Sequence, residues 1–136
     1  MNVFDILGPV MIGPSSSHTA GAARIGRITL ALLGAPAVKA DIFLHGSFAK
    51  TYKGHGTDKA LIAGIMGMAT DDSRIRRAPE LAREQGLEVN IATGDIDGAH
   101  PNTARVTLTD AAGSTVSLLG SSIGGGNIFV KEVNGM

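Results

Sequence analysis

"ARVTLTDAAGSTVSLLG", Ala104 to Gly120, holds two segments of strand character, "ARVTLTD" and "STVSLLG". The stretch from Asp110 to Gly113 between them reads as a hairpin turn. A hairpin makes its strands antiparallel neighbours, so the sheet this segment joins is at least partly antiparallel. Two more segments of strand character flank it, "LEVNIAT" before and "NIFVKEV" after. The first half of the chain reads differently. From His18 to about Leu33, apolar residues at Ala22, Ile25, Ile28, Leu32 and Leu33 recur at helical spacing, and Gly34 with Pro36 stops the run. "VKADIFLH", Val38 to His45, has the period of a strand, with Val38, Ala40, Ile42 and Leu44 on one face. Thr57 or Asp58 is expected to cap a second helix running to about Ala69. Gly64 and Gly67 inside it cost helix propensity and are expected to permit close packing against a neighbour. A third helix is predicted over Pro79 to Gln85, with Gly86 beyond its end. Asn2 to Leu7 reads as a short helix and Gly8 to Ser17 as a loop. Helix, strand, two helices and about four strands predict an α+β fold, with helices packed on a mixed, mostly antiparallel sheet.

The chain has 136 residues, which suits one domain over residues 1–136. A domain of that size buries roughly two thirds of the surface its unfolded chain exposes. With 43% hydrophobic and 18% charged residues, disorder throughout is excluded. Twelve Lys and Arg balance twelve Asp and Glu, which argues against nucleic-acid binding through bulk charge. The densest basic run, Arg74, Arg76 and Arg77, reads as a solvated helix face. There is no cysteine, so disulfides, thiol catalysis and any cluster held by this chain's own thiolates are excluded. No stretch reaches the roughly 18 apolar residues of a transmembrane helix. "MNVFDILG" lacks the basic start and long apolar core of a signal peptide. A cytoplasmic protein without membrane contacts is expected.

Chemistry concentrates in four segments. "GPSSSHTAGA" places Ser15, Ser16, Ser17, His18 and Thr19 at a predicted helix start. A helix leaves four N–H groups unsatisfied there, and its dipole makes that end positive. One hydroxyl suffices as a cap, and the remainder would suit a carboxylate or phosphate. The positive end would lower the pKa of His18 and favour neutral imidazole. An elaborate cap with an exposed histidine accounts for the same residues. In "GSFAKTYKGHGTDKA", Gly46 to Ala60, His55 stands between two glycines with Lys50, Lys53 and Lys59 nearby. This is either a site where backbone approaches a ligand or a surface loop. In "GAHPNTAR", Pro101 forces an extended geometry that would present His100 and Asn102 on a stiff segment, or simply lead into a strand. "GSSIGGGN", Gly120 to Asn127, is either an anion nest or a bend.

Walker, dinucleotide-binding, zinc-protease and nucleophile-elbow motifs are absent. The four histidines are too scattered for a local metal motif, and a zinc site from His18, His55, His100 and an Asp is disfavoured. His45 reads as packed or capped, and Asp95 and Asp97 as a polar turn.

Taken in order, "GPSSSHTAGA", "GSFAKTYKGHGTDKALIAGIMG", "HPNTARV" and "SSIGGGNI" resemble the beta subunit, or beta domain, of iron–sulfur-dependent L-serine dehydratase. The resemblance spans nearly the whole chain. It implies a fold similar to the allosteric substrate-binding domain of some phosphoglycerate dehydrogenases. It also implies conversion of L-serine to pyruvate and ammonia, with a 4Fe–4S cluster acting as Lewis acid on the substrate hydroxyl. The cluster's cysteines belong to the family's alpha part, so a cysteine-bearing alpha chain is the implied partner. Homo-oligomers are left open. Beta subunits often continue into a small regulatory ACT domain, which the 136 residues do not include.

On this reading His18 and His55 are the candidates for proton transfer. Ser15, Ser16, Ser17 and Thr19 would hold the substrate carboxylate, with His100 and Asn102 supporting the same pocket, and no metal ligand is assigned to this chain. The alternative is a small-anion-binding regulatory domain without chemistry, which the same helix start would serve. A purely structural subunit leaves the polar loops unexplained.

Overall fold

A computed structural model of the protein describes residues 17–50, 56–69, 73–124 and 127–134. The expected helix over Asn2 to Leu7 and loop over residues 8–16 lie outside them. Helix α1 spans Ser17–Leu33, one residue earlier than the apolar spacing predicts. Its buried residues are mostly small, with Gly21, Ala22, Ala23 and Gly26 beside the larger Arg24, Ile25 and Thr29. That composition lets the helix approach two neighbours at once, a sheet on one side and a second helix on the other. Gly34, at φ +76°, ends it, its N–H donating to the Leu30 carbonyl at 3.0 Å.

Strand β1, Ala37–Gly46, buries Ala40, Ile42 and Leu44 and turns Asp41 and Phe43 to the opposite face. Residues 47–50 are helical, and Phe48 plugs the core from there. Helix α2 spans Thr57–Ile65, shorter than predicted. Neither Thr57 nor Asp58 caps it: Gly56 occupies the cap position at φ +77°, with no side-chain hydrogen bond. The helix stops because Gly67, at φ +88°, closes a Schellman motif, with Gly67 N–H donating to Gly64 and Met68 N–H to Ala63, both at 2.9 Å. Gly67 is therefore a terminator, whereas Gly64 does serve close packing. A Cβ there would overlap the Ala23 carbonyl, and one on Gly26 would meet the Leu61 carbonyl at 2.5 Å. The two helices cross backbone to backbone.

A 3₁₀ turn over Ser73–Arg77 buries nothing, which agrees with a solvated basic run. Helix α3 follows over Ala78–Glu84, with Pro79 in its first turn, and Gly86 closes it with a second Schellman motif. The chain then enters β2, Glu88–Gly94, which pairs parallel to β1. Strands β3, Asn102–Asp110, and β4, Thr115–Gly124, form the expected hairpin. Its turn is held by the Asp110 carboxylate, which accepts from Ala112 N–H at 3.0 Å and Ser114 N–H at 2.9 Å. β5, Asn127–Val133, completes a five-stranded sheet in the order β2-β1-β3-β4-β5. One pair is parallel and three are antiparallel, so the fold is α+β on a mixed, mostly antiparallel sheet.

The core lies between α1, α2 and one sheet face, built from Ile42, Leu44, Val106, Leu108 and Leu118 with Leu61 and Ile65 above them. The other face is polar along its β2 side, where Asn90 Nδ2 donates to Asp41 at 3.1 Å and Glu88 at 2.9 Å. Among the described residues no helix is long and apolar enough to cross a membrane.

Candidate functional site

The topology gathers the polar segments at one end of the sheet. β1 and β2 run parallel, so both leave at that end, and antiparallel β3 must begin there. Register makes this concrete: Gly94, His45, Thr103, Ser121 and Phe129 form one row across all five strands. Gly46 pairs with Asn102 in the next row out. The helices point the same way. Leu30 and Gly34 of the α1 end and Ile65 and Met66 of the α2 end line one hollow, which places both helix C-termini at the far side. Both helices therefore start on the side of the polar row, and Gly21 of α1 rests against Ser122 of β4. A helix start carries unsatisfied N–H groups and a positive dipole end.

The loop from residue 95 to 101 is tied to this end by a series of hydrogen bonds. Ile96 N–H donates to His45 Nδ1 at 2.8 Å. Ser47 N–H donates to the Pro101 carbonyl at 2.7 Å. Gly46, at φ +62°, is required there, since a Cβ would meet that carbonyl at 2.5 Å. Asn102 N–H donates to His100 Nδ1 at 3.0 Å, and Thr103 Oγ1 donates to the His100 carbonyl at 2.6 Å. Thr103 and Ser121 hydroxyls share a further bond at 2.7 Å. Both rings accept at Nδ1, so a neutral imidazole at either position carries its proton on Nε2.

His100 is exposed and Asn102 is buried, so only the histidine projects from the segment that Pro101 stiffens. Both stand at the same sheet end as Thr19, which is half-buried near the start of α1. Ser15, Ser16 and His55 lie outside the described residues, as do the side chains of Ser17 and His18. His45 is a loop anchor, in keeping with its expected packed or capped role. Asp95 and Asp97 are exposed in the connecting loop, as a polar turn requires.

Two residues within the quoted motifs were not singled out as site residues. Oδ1 of Asp58 and Oγ of Ser122 are buried with no hydrogen-bond partner. Asp58 resembles any acid in a first helical turn, and Ser122 any serine in a strand, so only burial distinguishes them. No group of three His, Cys, Asp or Glu among the described residues is placed to hold a metal ion. The chemistry available here is polar recognition of a small charged molecule, with histidine at hand for proton transfer.

The family model for the serine dehydratase beta chain matches residues 2–97. The chain is 51% identical over 134 residues to the probable L-serine dehydratase beta chain of Bacillus subtilis (strain 168), covering 98% of this chain and 60% of that one. It is 42% identical over 136 residues to the L-serine dehydratase beta chain of Peptoniphilus asaccharolyticus, covering 99% and 61%. It is 29% identical over 160 residues to the L-serine dehydratase TdcG of Escherichia coli (strain K12), covering 100% of this chain and 35% of that one. The chain thus spans about three fifths of the length of the two beta chains.

Proposed function

The chain belongs to the serine dehydratase beta-chain family, and from that premise we propose that it is the beta part of an L-serine ammonia-lyase that forms pyruvate and ammonia. The pocket is completed by an alpha chain, the partner that a separately named beta chain implies. The observation that supports this reading is that the ends of β1 and β2 and the start of β3, distant in sequence, meet β4 in one polar row from Gly94 to Ser121.

Within that pocket the two helix N-termini hold the substrate carboxylate, helped by the hydroxyls of Ser15, Ser16, Ser17 and Thr19. His18 and His55 move protons, and His100 offers Nε2 from the anchored loop. Asn102 and Thr103 keep that loop in register with the sheet.

The 4Fe–4S cluster that the family resemblance implies does not fit this chain. It has no cysteine, and its described residues make no metal-ligating group. The cluster is assigned to the alpha chain. A regulatory anion-binding domain would use the same helix starts, but the relatives at 51% and 42% identity are named as dehydratase beta chains.

The test is anaerobic co-expression and co-purification with a cysteine-bearing alpha chain, followed by an assay of pyruvate from L-serine. The pair should be active, and the isolated chain should be colourless and inactive. An assembled pair that carries its cluster yet leaves serine untouched would overturn the reading.

A further inference from the structure

We propose that Asp58 receives the ammonium group of the amino-acid substrate, an assignment that rests on the lyase reading above. Asp58 Oδ1 and Ser122 Oγ are the buried polar atoms lacking a partner among the described residues, and both stand at the sheet end where the helices start. Burying a carboxylate oxygen without a donor forfeits its hydration, so such an atom marks a place where a donor arrives from outside the chain.

The position of Asp58 agrees. A Cβ on Gly26 of α1 would meet the backbone of α2 at Gly64 as well as at Leu61 and Ile65. Asp58 precedes Leu61 and Ile65 by three and seven residues, which puts it on the same helix face, toward the start of α1. Its oxygen is not spent on capping, since Gly56 holds the cap position with no side-chain bond. Ser122 is fully buried and faces α1 from below at Gly21. The other acids of this end, Asp95 and Asp97, are exposed.

The chemistry is complementary. L-Serine is a zwitterion. Helix N-termini suit its carboxylate but repel its ammonium. An anionic acceptor set between the two helix starts removes that conflict and selects an α-amino acid over a hydroxy acid of the same shape. A desolvated carboxylate oxygen accepts a charge-assisted N–H bond well.

The experiment uses the assembled two-chain enzyme, with Asp58→Asn and Asp58→Glu. It measures KM and kcat for L-serine, inhibition by glycerate, and retention of the alpha chain on co-purification. Glycerate is serine with a hydroxyl in place of the ammonium. Asp58→Asn should raise KM for serine by about 10- to 100-fold, the worth of one hydrogen bond to a charged group. Glycerate inhibition should stay unchanged or tighten, and Asp58→Glu should recover part of the serine affinity. An unchanged serine KM overturns the assignment. So does a parallel weakening of serine and glycerate, which marks a structural role. Loss of the alpha chain from Asp58→Asn also overturns it, since the carboxylate then faces a partner cation. A wild-type pair that does not deaminate serine sinks the lyase reading and this inference with it. An active pair insensitive to Asp58→Asn sinks this inference alone.

Discussion

Ser122 of β4 lies directly beneath Gly21 of α1, so close that a methyl group on the glycine would meet the serine Cβ at 2.7 Å. The contact sets the first turns of α1 down on the polar end of the sheet. Gly21→Ala should therefore destabilise the chain by about 1–3 kcal/mol, as overpacking does, and lower the activity of the assembled enzyme by tilting the helix start. Ser122→Ala removes a buried hydroxyl that has no partner, so the stability of the isolated chain should hold or rise slightly. Urea denaturation of both variants checks the pair, and the double variant Gly21→Ala with Ser122→Gly should recover part of the loss.

The crossing of α1 and α2 depends on Gly64 in a way that helix propensity opposes. Alanine in a helix interior gains about 1 kcal/mol over glycine. The atom in its path is the Ala23 carbonyl, which is backbone and cannot swing aside. Gly64→Ala should be destabilising by a net ~1–3 kcal/mol in a denaturation curve. Gly67→Ala should also destabilise, by about 1–2 kcal/mol, for a different reason: its φ is +88° and a Cβ is disfavoured there. A stabilised Gly64→Ala chain would show that the helices stand further apart.

His45 holds the loop that carries His100. Without its ring, the Ile96 N–H loses its acceptor. His45→Ala should cost about 1 kcal/mol and speed hydrogen exchange at the Ile96 amide. It should also weaken serine turnover through the displaced loop. Unaltered exchange at Ile96 would remove His45 from this role.

On the proposed function, proton transfer falls to His18 and His55. In the assembled enzyme, His18→Ala or His55→Ala should reduce kcat at least about tenfold, given the ~10²–10⁴-fold contribution of acid–base groups. The alpha chain and its iron content should be retained. Full turnover in both variants would move the proton transfers to other groups.

Sequence alone determined the elements and the class of the fold. Apolar spacing located α1, alternation located β1, and Asp110 with Gly113 marked the hairpin, because each signal is carried by residues a few positions apart. The polar motifs were legible for the same reason, as local clusters of Ser, His and Gly. The helix ends were less so. A glycine reads alike whether it packs, as Gly64 does, or turns the chain left-handed, as Gly67 does. Only the tertiary structure decided that β2 lies beside β1 in parallel, that His45, Thr103 and Ser121 stand in one row, and that Asp58 and Ser122 keep dry, unpaired oxygens. Those facts follow from burial between segments far apart in the chain, where the energy lies in the pairing and no single segment carries its signature.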